Sequence, residues 1–360
     1  MAQLGHTGFV RELVREKARV EPTVLRLVRS LAVQDWVVLT YFAILLFALV
    51  NGQGATRDGS IIRVAGDVAL FLTGVILTRG GILRAGSLAA GLVYRTAVLT
   101  SLVASYLQLR EILPAVSSRA LDAEILAFDL RVFGYEPAIA WDRFVTPATT
   151  EWFAFFYFLY FLLLVVHIIP MALFDRSSRR LAWFVLGTVF VFCLGHIGYM
   201  IVPGYGPHRY LEGRFENPLE GGLFWRAVVA TVRVGGAQKD IFPSLHTAAP
   251  TWFAIFSFMN RDARPFKYTW PVVAFMATQI MIATMFLRWH WVADVVVGLL
   301  LAFGAAFASK KIAAWDDARR KRAGLAPIFT PLVSETPFEP ENVEISSIRN
   351  ARSDARRNSC

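Results

Sequence analysis

The chain has 360 residues, 56% of them hydrophobic and only 18% charged, with a mean hydropathy of +0.48. A soluble domain of this length keeps apolar residues near half and carries more charge, so an ordinary water-soluble fold is excluded. The formal net charge of +10 does not point to nucleic acid. Much of the basic charge gathers at the two ends and in short connections between apolar blocks, and no basic stripe carries interleaved aromatics.

In chain order, the first thirty residues include Arg11, Arg15, Lys17, Arg19, Arg26 and Arg29. That stretch is too long and too charged for a cleaved signal peptide, and 1–32 reads as a cytoplasmic amphipathic segment. Eight apolar blocks follow, near 33–50, 64–82, 87–107, 152–174, 181–202, 245–259, 270–287 and 289–309. They predict an all-α, polytopic membrane helix bundle of about eight spans. A bilayer core of about 30 Å needs roughly 20 helical residues, so the sixth block is short and is expected to begin inside a polar cavity. The stretch 118–146 predicts an amphipathic helix lying on the membrane surface. Leu121, Ile125, Phe128 and Val132 share one stripe, Glu124 and Asp129 fall off it, and Gly134 and Pro137 stop it. A second such piece is expected at 222–233. From 310 to 360 the apolar pattern gives way to Pro, Ser and charge, which predicts a disordered basic cytoplasmic tail. Cys193 lies inside an apolar block and Cys360 is the last residue, so no structural disulfide is expected.

The short connections set the orientation. Arg79 and Arg84, then Arg176, Arg179 and Arg180, then Arg261, Arg264 and Lys267 fall on one side, with Lys310, Lys311 and the run from Arg319 to Arg322. The positive-inside rule makes that side the cytoplasm, puts both termini there, and turns the loops at 51–63, 108–151, 203–244 and 288 outward. A bacterial inner membrane is the expected location.

Of six histidines, His208, His246 and His290 fall in the outer loops or at their junctions with spans. In Arg288-Trp289-His290-Trp291-Val292-Ala293-Asp294 the His and Asp stand four apart, on one helical face. A carboxylate there can accept one ring N–H, fix the tautomer and leave the other nitrogen as nucleophile or base. The same pair also suits a structural hydrogen bond between helices. In Phe242-Pro243-Ser244-Leu245-His246-Thr247, Ser244 is a natural N-cap, and the free N–H groups behind it would attract an anion. His246, in that first turn, can donate a proton to a leaving oxygen. In Pro203-Gly204-Tyr205-Gly206-Pro207-His208-Arg209, two glycines allow close backbone approach and Arg209 suits a phosphate. An interfacial arginine in a Gly/Pro turn would read the same way. Topology places all three clusters on one face, and together they suit phosphoryl transfer through a phosphohistidine.

These residues resemble the type 2 phosphatidic acid phosphatase superfamily. Its signatures are a basic segment ending in Arg, a Pro-Ser-X-His segment and an Arg-containing segment ending in His-X-X-X-Asp. Arg209, Pro243-Ser244-Leu245-His246 and His290-Trp291-Val292-Ala293-Asp294 match them in order. The resemblance covers a six-span catalytic core over 87–309, with 33–86 as two extra N-terminal spans. It implies His290 as the nucleophile, Asp294 as its orienting partner and His246 as the proton donor. It also implies that Arg209 and Ser244 bind phosphate, with no metal or other cofactor. The family's Lys seven residues before its first Arg is here Val202, and its Arg six residues before the last His is here Thr284. Arg288 and His208 stand nearby as further candidates for substrate binding. Leu245 replaces the usual Gly, and with Asp129, Phe133-Gly134, Pro137 and the aromatic run Trp152 to Phe161 this is similar to the inositol phosphorylceramide synthase branch.

The expected activity is therefore transfer of a phosphoinositol-type head group from a phospholipid to a lipid alcohol such as ceramide. A lipid phosphate phosphatase, using water as acceptor, is the alternative. Two readings of other kinds are a non-enzymatic lipid transporter or scaffold, for which Asp67 and Arg95 inside spans would serve, and a metal site built from His208, His246, His290 and Asp294.

Overall fold

The computed structural model describes residues 23–235 and 239–332, and among them every regular element is helical. A short helix α1 (Thr23–Ser30) leads into α2 (Val33–Asn51), α3 (Arg57–Arg79) and α4 (Leu88–Val116). Next come α5 (Asp122–Phe133), α6 (Pro147–Phe174), α7 (Ser178–Ile201) and α8 (Leu223–Gly235). The last three are α9 (Leu245–Met259), α10 (Phe266–Phe286) and α11 (Val292–Arg322). Seven of these, α2, α3, α4, α6, α7, α10 and α11, are long and apolar enough to cross a membrane. At 15 residues, α9 reaches only about 22 Å, as its sequence predicts.

The boundaries have local causes. Ser87 and Ser177 accept N–H bonds from Ala90 and Arg180, starting α4 and α7. Thr146 accepts from Thr149 ahead of Pro147 at the head of α6. Each uses a hydroxyl, or a proline with no N–H to lose, where a helix leaves donors unpaired. The short α9 sits in the middle, packed on α6, α7, α10 and α11, while α2, α3 and α4 form a cluster that joins α7. Trp252, Phe253 and Phe256 of α9 are wholly buried against Trp183 and Phe184 of α7.

At the end carrying the basic turns, Asp35, Arg79, Tyr94, Asp316 and Arg320 form a buried polar cluster. Asp35 accepts from Ala32 N at 2.7 Å and from Arg79 Nε at 3.4 Å, and also from the Tyr94 hydroxyl. Asp316 accepts from Val33 N at 3.0 Å, and Arg320 donates to the Ser30 carbonyl at 2.6 Å. A carboxylate away from water is tolerated only with such partners.

Three expectations are corrected. The predicted tail is helical as far as Arg322, because Ala302, Ala305, Ala306, Ser309, Ala313, Asp316 and Arg320 form a buried stripe at helical spacing. The chain then turns at Gly324 and packs back on the bundle as far as Leu332. The rest of the tail and the segment 1–22 lie outside the described residues. The third span runs on to Val116. Finally, α5 exists and turns Phe128 and Val132 outward, but Asp129, expected off the buried side, is buried together with Asp122 and Ile125.

Candidate active site

The site forms where the ends of α7 and α10 meet the starts of α9 and α11. Past Phe286 the chain reverses at Arg288, whose φ of 65° is left-handed, and Thr284 O accepts the N–H groups of Trp289 (2.9 Å) and His290 (3.1 Å). Trp291 caps α11. Its N–H donates to Asp294 Oδ2 at 2.9 Å, and the same oxygen lies 3.3 Å from His290 Nδ1. Both His290 and Asp294 are buried, and Asp294 Oδ1 has no partner. Burial pulls the His290 imidazole down to about 4, against an opposing pull from Asp240 and from a hydrogen bond to the Ile241 backbone. The ring is therefore neutral near pH 7, and with Nδ1–H on Asp294 it keeps a lone pair on Nε2.

Ser244 ties α9 to this turn. Its N–H donates to Asp294 O at 2.9 Å, and its hydroxyl accepts from Thr247 N at 3.2 Å. His246 lies between Tyr157 and Tyr160 of α6, with ring centroids 4.4 and 4.1 Å away, and 6.1 Å from the His290 ring. Its Nε2 has no hydrogen-bond partner.

The loop carrying Arg209 is brought in by Gly206. That residue has φ 81°, and a Cβ there would fall 2.3 Å from the Trp289 carbonyl oxygen, so only glycine allows the approach. His208 N donates to Arg288 O at 2.6 Å, which completes the junction. The His208 ring packs on Trp289, and burial, with the Arg288 charge, pulls its pKa below the ordinary value. Arg209 is exposed, with its guanidinium 4.0 Å above the Tyr205 ring.

A cavity of about 510 Å³ opens between these groups, lined by His246, His290, His208, Arg209, Asp240 and a wall of aromatic rings. Of the residues singled out from sequence, His246, His290, His208 and Arg209 line it together. Asp294 and Ser244 sit behind it as supports. Arg288 is turned away, donating to Asp142 Oδ1 at 2.5 Å and to Asn217 O at 2.6 Å while stacked 3.8 Å above Phe215. It braces the turn carrying His290 instead of reaching a ligand. Among the described residues, no three His, Cys, Asp or Glu side chains converge as ligands of one ion.

Sequence reasoning missed four kinds of support. Asp240 enters the cavity from just before the Pro-Ser segment, and a charge beside Phe242-Pro243 was the available signal. Tyr157 and Tyr160 hold His246, and their spacing within the aromatic run placed them on one helical face. Asp129 accepts from Val292 N (2.8 Å) and Ala293 N (3.1 Å) at the head of α11. Asp122 accepts from Tyr205 N (3.0 Å), Gly206 N (2.8 Å) and the Trp291 indole (3.2 Å). No one-dimensional pattern shows that α5 is the clamp between the Arg209 loop and α11.

Fold and site together define a polytopic helical membrane protein with a buried His–Asp pair and a second histidine across a polar cavity. A family model of the PAP2 superfamily matches residues 123–308, just over half of the chain, and the chain belongs to that superfamily. Membership supports activity of the lipid phosphatase or phosphotransferase kind. Searches of curated proteins and of solved structures returned no match.

Proposed function

We propose that this protein is a lipid phosphotransferase that carries a phosphoinositol-type head group on His290 from a phospholipid to a lipid alcohol such as ceramide. The observation that carries the reading is His290, neutral and backed by Asp294, facing His246 across 6.1 Å at the cavity wall. The Nε2 lone pair of His290 attacks phosphorus, the bond to the donor's glyceride oxygen breaks, and His246 gives that oxygen its proton. The acceptor hydroxyl then returns a proton to His246 and attacks phosphorus, and the N–P bond breaks with its electron pair back on His290. Arg209 meets phosphate oxygens from the rim. Asp294 holds the tautomer and stabilises the cationic ring once it is phosphorylated.

An alcohol acceptor is favoured by the aromatic wall, since a site poor in water gives a bilayer-dissolved hydroxyl the better chance. Leu245, buried against Gly195, is the position where the second signature resembles inositol phosphorylceramide synthases. A phosphatase reading is favoured by one feature: Arg209 is exposed, so water reaches the rim. By the distribution of basic turns, the cavity faces away from the cytoplasm and both termini lie inside.

Product analysis decides the matter. Purified wild type and His290→Ala in mixed micelles receive phosphatidylinositol, phosphatidate and ceramide together, and the products are read by mass spectrometry. A His290-dependent phosphoinositol-ceramide with little free phosphate is the expected result. Phosphate released from phosphatidate with no new lipid would make the enzyme a phosphatase. Full activity in His290→Ala would overturn the mechanism.

A further inference from the structure

Beside the polar cavity lies a second one, of about 430 Å³, between α4, α6 and α7. The two share Tyr106, Leu107 and Phe161, so the second begins where the first ends. Its walls are almost wholly apolar. The Thr188 hydroxyl on its wall is engaged with Phe184 O and the Trp252 indole. Helices α4 and α6 touch little directly, and along the gap Val103, Leu107, Val165 and Ile169 are exposed. A groove flanked by exposed aliphatic side chains in a membrane-spanning bundle opens to lipid.

The far end is closed by the chain's own return segment. Phe329 is 2% exposed and sits against Tyr94 (5.4 Å) and under the Arg95 guanidinium (5.1 Å). Arg95 in turn donates to Ala172 O (2.7 Å), Gly91 O (2.9 Å) and Thr330 O (2.8 Å). Its position inside a span is thereby accounted for, because it pins α4, α6 and the return segment at one point. Leu332 packs on Gly91, where a Cβ would fall 2.6 Å from it. From Tyr106 to Arg95 the groove follows α4 for about 16 Å, close to the extended length of a myristoyl chain.

We infer that this groove holds one hydrocarbon chain of the lipid whose phosphate sits at His290, and that Phe329, pinned through Arg95, is the floor that sets how long a chain fits. The inference rests on the lipid reading above. The occupant follows from continuity with the phosphate-facing cavity, from the apolar walls and from the side opening. Phe329 acts as a specificity-determining residue and Arg95 as its positioning residue.

The test measures binding without turnover. The full chain carrying His290→Ala is incubated with an equimolar mixture of lysophosphatidates bearing lauroyl, myristoyl, palmitoyl and stearoyl chains, and bound lipid is counted by native mass spectrometry. Occupancy is expected to rise with length as far as myristoyl and then level off. Adding Phe329→Ala should raise the stearoyl-to-myristoyl ratio roughly fourfold, and adding Val98→Phe, which fills the groove a turn above the floor, should lower the myristoyl-to-lauroyl ratio by a similar factor. Val98→Phe stands on its own if Phe329→Ala fails to give a monodisperse protein. Unchanged ratios in folded variants, or loss of binding equal for all lengths, would overturn the inference. Ratios that shift while the wild type shows no transfer in the product assay would keep the groove and remove the proposed activity.

Discussion

At the residue scale, burial decides what His290 can do. An exposed imidazole titrates near 6.5 and would be partly cationic, with no lone pair to give, in mildly acidic surroundings. Here desolvation outweighs the pull of Asp240 and moves the group to about 4. The sign follows directly. In the proposed mechanism the neutral form is the nucleophile, a lowered pKa keeps it neutral to lower pH, and its reactivity is lost only as pH falls through about 4. Phosphoenzyme formation in a single turnover should therefore lose nothing to His290 protonation between pH 7 and about 5, and its acid limb should lie near 4. An acid limb centred near 6.5 would mean that the ring is exposed during the reaction. The Arg288 guanidinium, held between Asp142 and Phe215, belongs to a different category of residue. Its position beside His290 suggested a phosphate ligand, but a buried carboxylate needed a partner and Arg288 supplies it.

At the element scale, α5 is the part most easily misread. Phe128 and Val132 of its hydrophobic stripe point outward, while the buried face carries Ile125 and two carboxylates. The first N–H groups of α11 have no intrahelical partner, and neither do those of the Gly206 turn. A buried backbone donor left unpaired costs about 1–3 kcal/mol, and a buried carboxylate needs donors of its own, so each satisfies the other. Asp129 and Asp122 therefore act as remote caps. Asp129→Ala should lower stability by about 1–2 kcal/mol, seen as a lower midpoint in thermal unfolding in detergent. It should also slow turnover, because α11 begins two residues after His290. Asp129→Asn keeps an acceptor and should recover most of the stability. If Asp129→Ala leaves both quantities at wild-type values, α5 is not holding α11.

At the scale of the whole molecule, charge and hydrophobicity act along the bilayer normal. The site gathers at one end of the bundle and the basic turns at the other. Cysteines introduced singly in a Cys360→Ser background, where only the buried Cys193 remains, test the orientation this implies. Ala55→Cys, in the turn after α2, should react with a membrane-impermeant maleimide in intact cells, and Ala85→Cys, in the turn after α3, only after permeabilisation. The reverse pattern would put the cavity on the cytoplasmic side. The match to the PAP2 superfamily begins at residue 123, yet α2, α3 and α4 are not an appendage. Through α7 and the Asp35 cluster they are built into the same bundle, and α4 supplies a wall of both cavities.

By itself, the sequence determined the class of fold, the approximate place of the long apolar helices, the shortness of α9, and that His290, His246 and Arg209 would meet at one end of the bundle. These are legible because spans obey a one-dimensional rule of length and hydrophobicity, and because the His-X-X-X-Asp and Ser-X-His spacings act within single turns. Tertiary structure alone decided that Arg288 is a brace, that Asp129 and Asp122 cap other elements, that Asp240 enters the cavity, and that the segment after Arg322 folds back to place Phe329 beneath Arg95. Each of these satisfies a buried donor, charge or void with a group far away in the chain. Such demands exist only once packing has excluded water and brought the distant partner within reach.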